Sequence, residues 1–228
     1  MKVDILTLFP EMFAPLNESI IGRAKEAKKI QINIYDIRDY TTNKHKKCDD
    51  YPFGGGAGMV MMPQPISDAI KSIDPEHKAK RIFMSPKGSV FTQKKVKDLI
   101  EAKHVILLCG HYEGVDQRVI DKYIDEEISI GDYVLTGGEL PAMVITDCLA
   151  RYVDGVISED SLLEESFSSG LLEYPQYTRP QEFEGVKVPE VLVSGNHQEV
   201  DKWRYNESFR ITKEKGPDLL EVNSKKSK

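Results

Sequence analysis

Apolar residues in this chain come in short runs, separated by stretches in which they recur every three or four positions. Runs suited to strands occupy Val3 to Phe9, Ile30 to Ile37, Arg81 to Met84, His104 to Cys109 and Glu127 to Ile130. Each is too short for a helix and is bounded by turn-forming or charged residues. The stretches between them read as helices: Pro10 opens the first, Pro63 and Pro65 open one that ends near Ile73, and Thr92 caps QKKVKDLIEA. Strands alternating with helices predict an α/β fold on a parallel sheet. The pattern holds to about Asp154, after which the segment Gly155 to Gly170 turns acidic and serine-rich, as a linker or active-site lid would. Pro175, Pro180 and Pro189 then break the chain before VLVSG, and Asn196 caps HQEVDKWRYNESFRITKEK as one long helix. The expected organisation is an α/β domain over 1–157, an acidic flexible linker over 158–169, and a small, mainly helical domain over 170–228.

Composition narrows the class. With 228 residues, 40% of them hydrophobic and 30% charged, the chain can bury a core and is ordinary globular in make-up. Asp4 interrupts the first apolar run and Pro10 ends it, so no signal peptide is read there. VILLC, at 105 to 109, falls far short of the ~20 residues of a membrane helix. A soluble, cytoplasmic protein without a membrane partner is expected. Cys48, Cys109 and Cys148 form no CxxC pair, and the five histidines show no HxxxH or HExxH spacing. Structural thiols and no protein-built metal site are therefore predicted.

A net charge of −6 argues at first against a nucleic-acid partner. Its distribution weakens that objection: Asp154 to Glu173 holds six acids and no Lys or Arg, so the rest of the chain is neutral. Basic residues gather at Lys44, Lys46 and Lys47 and in the tail from Lys202 onward, either as solvated faces or as phosphate contacts.

In a parallel sheet the ligand crevice lies beyond the carboxyl ends of the strands. Three predicted loops fall there: Ser85-Pro86-Lys87-Gly88, Gly110-His111-Tyr112-Glu113-Gly114, and GDYVLTGGELP from Gly131 to Pro141. Singly, their glycines read as turns. Together, after three strands, they read as a pocket of exposed backbone groups suited to an adenosine-like ligand. GGGAG at 54 to 58 is not GxGxxG, and neither GxxxxGK[ST] nor GxSxG occurs. Dinucleotide, P-loop and serine-hydrolase chemistry are thereby disfavoured.

LFPEMF (8 to 13), DDYPFGGGAGMVM (49 to 61), LLCGHYEGVDQRV (107 to 119), DEEISIGDYVLTGGELPAM (125 to 143), GLLEYPQYTRP (170 to 180) and VLVSGNH (191 to 197) closely resemble the bacterial tRNA (guanine-N(1))-methyltransferases, the TrmD family. The resemblance covers nearly the whole chain in order. It implies a SPOUT-class α/β domain with a deep trefoil knot, a helical C-terminal tRNA-binding domain, and a homodimer with its sites at the subunit interface. It also implies S-adenosylmethionine as methyl donor and, as substrate, the guanosine immediately 3′ of a tRNA anticodon. By position, Ser85, Pro86, Gly88, Gly110, Tyr112, Glu113, Ile130, Gly131, Asp132, Tyr133, Val134, Leu135, Gly137, Gly138 and Pro141 would hold the donor. Magnesium has no readable motif.

Methylating guanine N1 requires a base for its proton and a cation for the charge that grows on the carbonyl oxygen. Arg151 matches the family's cation; the alternative is a surface Arg paired with Asp147. The family's base is the Asp of Asp-Ser-Phe, where this chain has Glu165-Ser166-Phe167, one methylene longer. Glu165 is the expected base, with Glu164 as fallback and a solvated linker as alternative. Asp49 and Gly58 are the expected guanine readers, with Lys44, Lys46, Arg204 and Arg210 as phosphate contacts. Two other functions stay open: a SPOUT-type enzyme acting on another RNA base, and a noncatalytic RNA-binding module.

Overall fold

The computed structural model describes residues 1–158, 165–167 and 170–220. Its residues fall into two compact units that divide between Ile157 and Ser158. In chain order the first runs β1 (Lys2–Thr7), a 3-10 helix (Pro10–Asn17), α1 (Ser19–Glu26), β2 (Gln31–Asp36), β3 (Asp49–Asp50), β4 (Val60–Met61) and α2 (Pro63–Ile73). It continues through β5 (Lys80–Val90), α3 (Gln93–Glu101), β6 (His104–Cys109), α4 (Gln117–Tyr123), β7 (Glu126–Ser129) and α5 (Glu139–Arg151).

The sheet has the order β2-β1-β6-β5-β7, and every pairing in it is parallel. The α/β expectation is met. β6 lies at the centre, buried on both faces, so its apolar run is continuous rather than alternating. Val105, Leu107 and Cys109 face one layer with the buried residues of α1, α3 and α5, including Ala24, Val96, Leu99, Ile145 and Leu149. Ile106 and Leu108 face the other with Ile66 and Ile70 of α2 and Val119 of α4. Each such fully buried side chain contributes about 1.5–3 kcal/mol. Thr92 caps α3, its hydroxyl accepting from Lys95 N.

One strand departs from expectation. β5 does not stop at Met84 but runs on to Val90, and Ile128 of β7 stands opposite both Met84 and Ser89. Ser85 to Gly88 are thus looped out as a bulge inside a strand. Pro86, with no N–H, and Gly88 made the segment read as a turn. The two-residue strands β3 and β4 were not foreseen either.

The second unit holds a two-residue antiparallel pair, β8 (Glu182–Phe183) with β9 (Val186–Lys187), then α6 (Glu190–Val193) and α7 (His197–Lys215). α7 begins where the sequence places it, with Asn196 Oδ1 accepting from Glu199 N at 3.4 Å. Thr212 anchors this helix: its hydroxyl accepts from Leu172 N at 2.8 Å and donates to Ser208 O at 2.6 Å. Among the described residues no helix is long and apolar enough to cross a membrane.

Candidate active site

The carboxyl ends of β5, β6 and β7 open on a cavity of about 270 Å³. Ser85 and Pro86 of the β5 bulge line it, as do Gly110, Tyr112 and Glu113 after β6. Ile130, Gly131, Tyr133, Val134, Leu135, Gly137, Gly138 and Pro141, after β7, line it as well. Three segments far apart in sequence therefore converge on one pocket. His111, Gly114 and Thr136 of the predicted loops also line it, and so do Phe83, Met84, Ile128 and Ser129, which were not named for it. Phe83, Met84 and Ile128 are strand residues whose apolar character reads as core. His111 was accessible to inference, since it sits inside the GHYEG loop.

The loops interlock through their backbones. Gly138 N donates to Gly110 O at 2.8 Å, and His111 bridges Gly137 in an antiparallel pair. A Cβ on Gly138 would lie 2.7 Å from Cys109 Cα, and one on Gly110 would lie 2.8 Å from the Phe83 ring. Glycine is needed at both for space, so that two chain segments can touch. Ser129 shapes the entry to the third loop: its hydroxyl donates to Gly131 O at 3.0 Å and accepts from Gly131 N at 3.2 Å. Gly131 follows at φ +151°, a conformation few other residues adopt.

The wall behind these loops is polar and buried. Glu139, 2% exposed, opens α5, and its Oε1 accepts from the Thr7 hydroxyl at 2.9 Å. Burial, reinforced by the Glu139 charge, pushes the Cys109 thiol well above its ordinary range, so it is an inert structural group. The His111 ring lies 4.8 Å from Phe9 and 5.0 Å from Tyr112, and its Nδ1 is a buried polar atom with no hydrogen-bond partner among the described residues. Tyr112 holds a left-handed φ of +60°, and burial, then the nearby Asp49 carboxylate, raise its phenol. Glycine backbone, the apolar side chains of Met84, Ile128, Ile130 and Leu135 in the lining, and the His111 nitrogen suit a nucleoside-sized ligand.

Other expected residues take different positions. Gly88 is absent from the lining: its Cβ would strike the backbone of Glu127, so it lets the bulge lie on β7. Asp132 is exposed and likewise absent from the lining. Asp49 lies in β3, which pairs with β4, and β4 is stitched to the pocket: Met61 N donates to Gly114 O at 2.9 Å and Glu113 N to Met59 O at 3.0 Å. Gly58, at φ +78°, lies against the Glu113 carboxylate. Asp49 and Gly58 thereby stand on a segment tied to the pocket loop.

Arg151 ends α5, half-buried. In the second unit Glu165 is half-buried, and its neighbour Ser166 accepts from Glu173 N at 3.0 Å. Glu164 lies outside the described residues. Lys44 is exposed, and Lys46 pairs with Asp39 at 2.7 Å. Arg210 is engaged by Glu207 at 2.7 Å and Glu214 at 3.2 Å, while Arg204 lies over the Tyr174 ring at 4.9 Å. Among the described residues no group of three His, Cys, Asp or Glu is arranged to hold a metal ion.

Residues 1–222 match the family described as tRNA (Guanine-1)-methyltransferase TrmD. The chain is similar to a tRNA (guanine-N(1)-)-methyltransferase of Ruminiclostridium cellulolyticum, 59% identical over 96% of both chains. It is also 58% identical to the protein of that name from Clostridium acetobutylicum, over 97% of this chain and 91% of the relative. The counterpart from Clostridioides difficile is 55% identical over 99% of this chain and 100% of the relative. A family match over residues 1–222, with relatives 55–59% identical over nearly their whole length, places the chain in the TrmD family of tRNA (guanine-1)-methyltransferases.

Proposed function

We propose that this chain transfers a methyl group from S-adenosylmethionine to N1 of the guanosine immediately 3′ of a tRNA anticodon, in the cytoplasm and as a homodimer. The convergence of the SPKG bulge, the GHYEG loop and the GDYVLTGGELP loop on one nucleoside-sized cavity carries this reading. S-adenosylmethionine, when bound, supplies a methyl group already activated by a sulfonium. The protein's share is alignment and the handling of one proton. Guanine N1 is protonated and its lone pair engaged in the ring, so a carboxylate must take the proton, and Glu165 has that role. Negative charge then grows on the guanine carbonyl oxygen, where the Arg151 guanidinium stabilises it. Asp49 accepts from the donor edge of a guanine, and Gly58 admits the close approach.

The same reading threads the Gly110–Gly114 and Ile130–Gly138 segments through a SPOUT trefoil knot, for which the tight Gly110–Gly138 contact is the support. It makes residues 170–228 the tRNA-binding domain. For the dimer the support is on α5. Leu140 and Val144 are 48% and 43% exposed at i, i+4 spacing, and Arg151 continues their stripe one helical face along. A partner covering that stripe brings its own surface to the catalytic cation.

Labelled S-adenosylmethionine and tRNA carrying guanine or adenine beside the anticodon test the function. Label is expected in the guanine tRNA alone; equal label in both, or none, overturns it. Glu165→Gln is expected to slow turnover by about 10²–10⁴-fold with cofactor binding intact. A wild-type rate removes Glu165 from the mechanism.

A further inference from the structure

The acids and cations of α7 are not evenly matched around the helix. Asp201 is taken by Arg204 at 3.9 Å, and Glu207 and Glu214 are taken by Arg210 at 2.7 and 3.2 Å. These pairs use both arginines of the helix. Lys202 and Lys213 are exposed and have no acidic partner among the described residues. They lie at i and i+11 of one helical face, and between them, at i+3 and i+7, stand Tyr205 and Phe209, 64% and 45% exposed. At 1.5 Å per residue the stripe is about 16 Å long. The buried Ser208 and Thr212 flank this stripe on one side of the helix, and beside them Tyr205 and Phe209 stay exposed. Tyr205 and Phe209 thus present aromatic surface to water between two lysines that have no acidic partner among the described residues. Their chemistry fits a polyanion that carries flat, stackable groups.

We propose that Lys202, Tyr205, Phe209 and Lys213 form a docking stripe for unpaired nucleotides of the tRNA, the lysines taking phosphates and the two rings stacking on bases. This rests on the reading of tRNA as substrate. It also moves the contact away from Arg204 and Arg210, the residues that charge counting alone would select. Charge complementarity favours RNA over a second copy of this acidic chain, although a partner's acidic linker is a competing occupant.

The test uses the full chain, with tRNA binding followed by filter retention across a sodium chloride series and tRNA KM followed by methyl transfer. Replacing both lysines, Lys202→Gln with Lys213→Gln, is expected to lower the slope of log affinity against log salt by about 2, roughly one per phosphate contact. Tyr205→Ala and Phe209→Ala are each expected to raise tRNA KM by roughly 5–150-fold, and Phe209→Trp to restore it. Cofactor affinity, read by calorimetry, should not change in any of them. Unchanged slope and KM overturn the stripe, as does a loss in Phe209→Trp equal to that in Phe209→Ala. A shift in sedimentation from dimer to monomer assigns the face to a protein partner and overturns it as well. Failure of the wild-type protein to methylate guanine would strike the proposed function instead, because filter retention reads the stripe without turnover.

Discussion

Gly138 is constrained by its neighbours and not by its own torsion. Its φ of −83° suits any residue, yet an alanine methyl would meet Cys109 Cα at 2.7 Å, Gly110 N at 2.9 Å and Met84 Cβ at 3.1 Å. Two of these are backbone atoms at the end of β6, which cannot rotate away. Gly138→Ala is therefore expected to force the two pocket loops apart at a cost of about 1–3 kcal/mol, seen by calorimetry as S-adenosylmethionine binding weakened by roughly 5–150-fold. Affinity equal to wild type would show that the loops are not held as close as Gly138 N to Gly110 O requires. The paired glycines are visible in the sequence, but their reason is not. Turn chemistry explains Gly131, with its positive φ, whereas Gly138 answers to a strand end 29 positions away.

Among the elements, the join between α2 and β5 depends on one buried ion pair. Asp74 follows the last turn of α2, and its carboxylate lies 2.8 Å from the Arg81 guanidinium, both side chains 5% exposed. Burial by itself would raise the Asp74 carboxyl. Hydrogen bonds from Lys78 N, Arg81 and Ala79 N outweigh it and hold the group below its usual range. A depressed folded pKa contributes stability above the unfolded value of about 3.9, which is lost as pH falls through the folded value. The wild-type protein is thus expected to lose stability below about pH 4 more steeply than Asp74→Asn does. At neutral pH Asp74→Ala, which strands Arg81, should lower urea-unfolding stability by about 3–5 kcal/mol; a loss under 1 kcal/mol would mean that water reaches the guanidinium. Elements of this kind were partly legible. Asn196 and Thr92 mark helix starts with local hydrogen bonds, so α7 and α3 begin where the sequence puts them. β5 escapes because its second half is held by β7 and not by its own composition, and no local rule for Pro86 and Gly88 foresees a partner strand.

At the scale of the whole molecule, the proposed dimer rests on the exposed stripe of α5, Leu140 and Val144. In the sequence Leu140 and Val144 cannot be told from Ile145 and Leu149, because all four are aliphatic and on one helix; only the sheet decides that the latter pair is buried and the former exposed. Charge is more legible, since Asp201, Glu207 and Glu214 stand at i, i+3 and i, i+4 spacing from the arginines of α7 that they engage. If two protomers meet on the α5 stripe, Val144→Asp places a carboxylate in a dry contact and should leave the protein monomeric at micromolar concentration in sedimentation velocity. Val144 is 43% exposed, so the fold of the single chain should survive, with thermal unfolding remaining cooperative. Methyl transfer should fall with the dimer, because Arg151 lies on the same stripe and would lose the surface that completes its site. S-adenosylmethionine affinity would then report how far the pocket also depends on the partner: Leu135 and Val134, which line it, are 37% and 83% exposed in the single chain. A monomeric Val144→Asp protein with full turnover would separate catalysis from assembly and return the active site to a single chain.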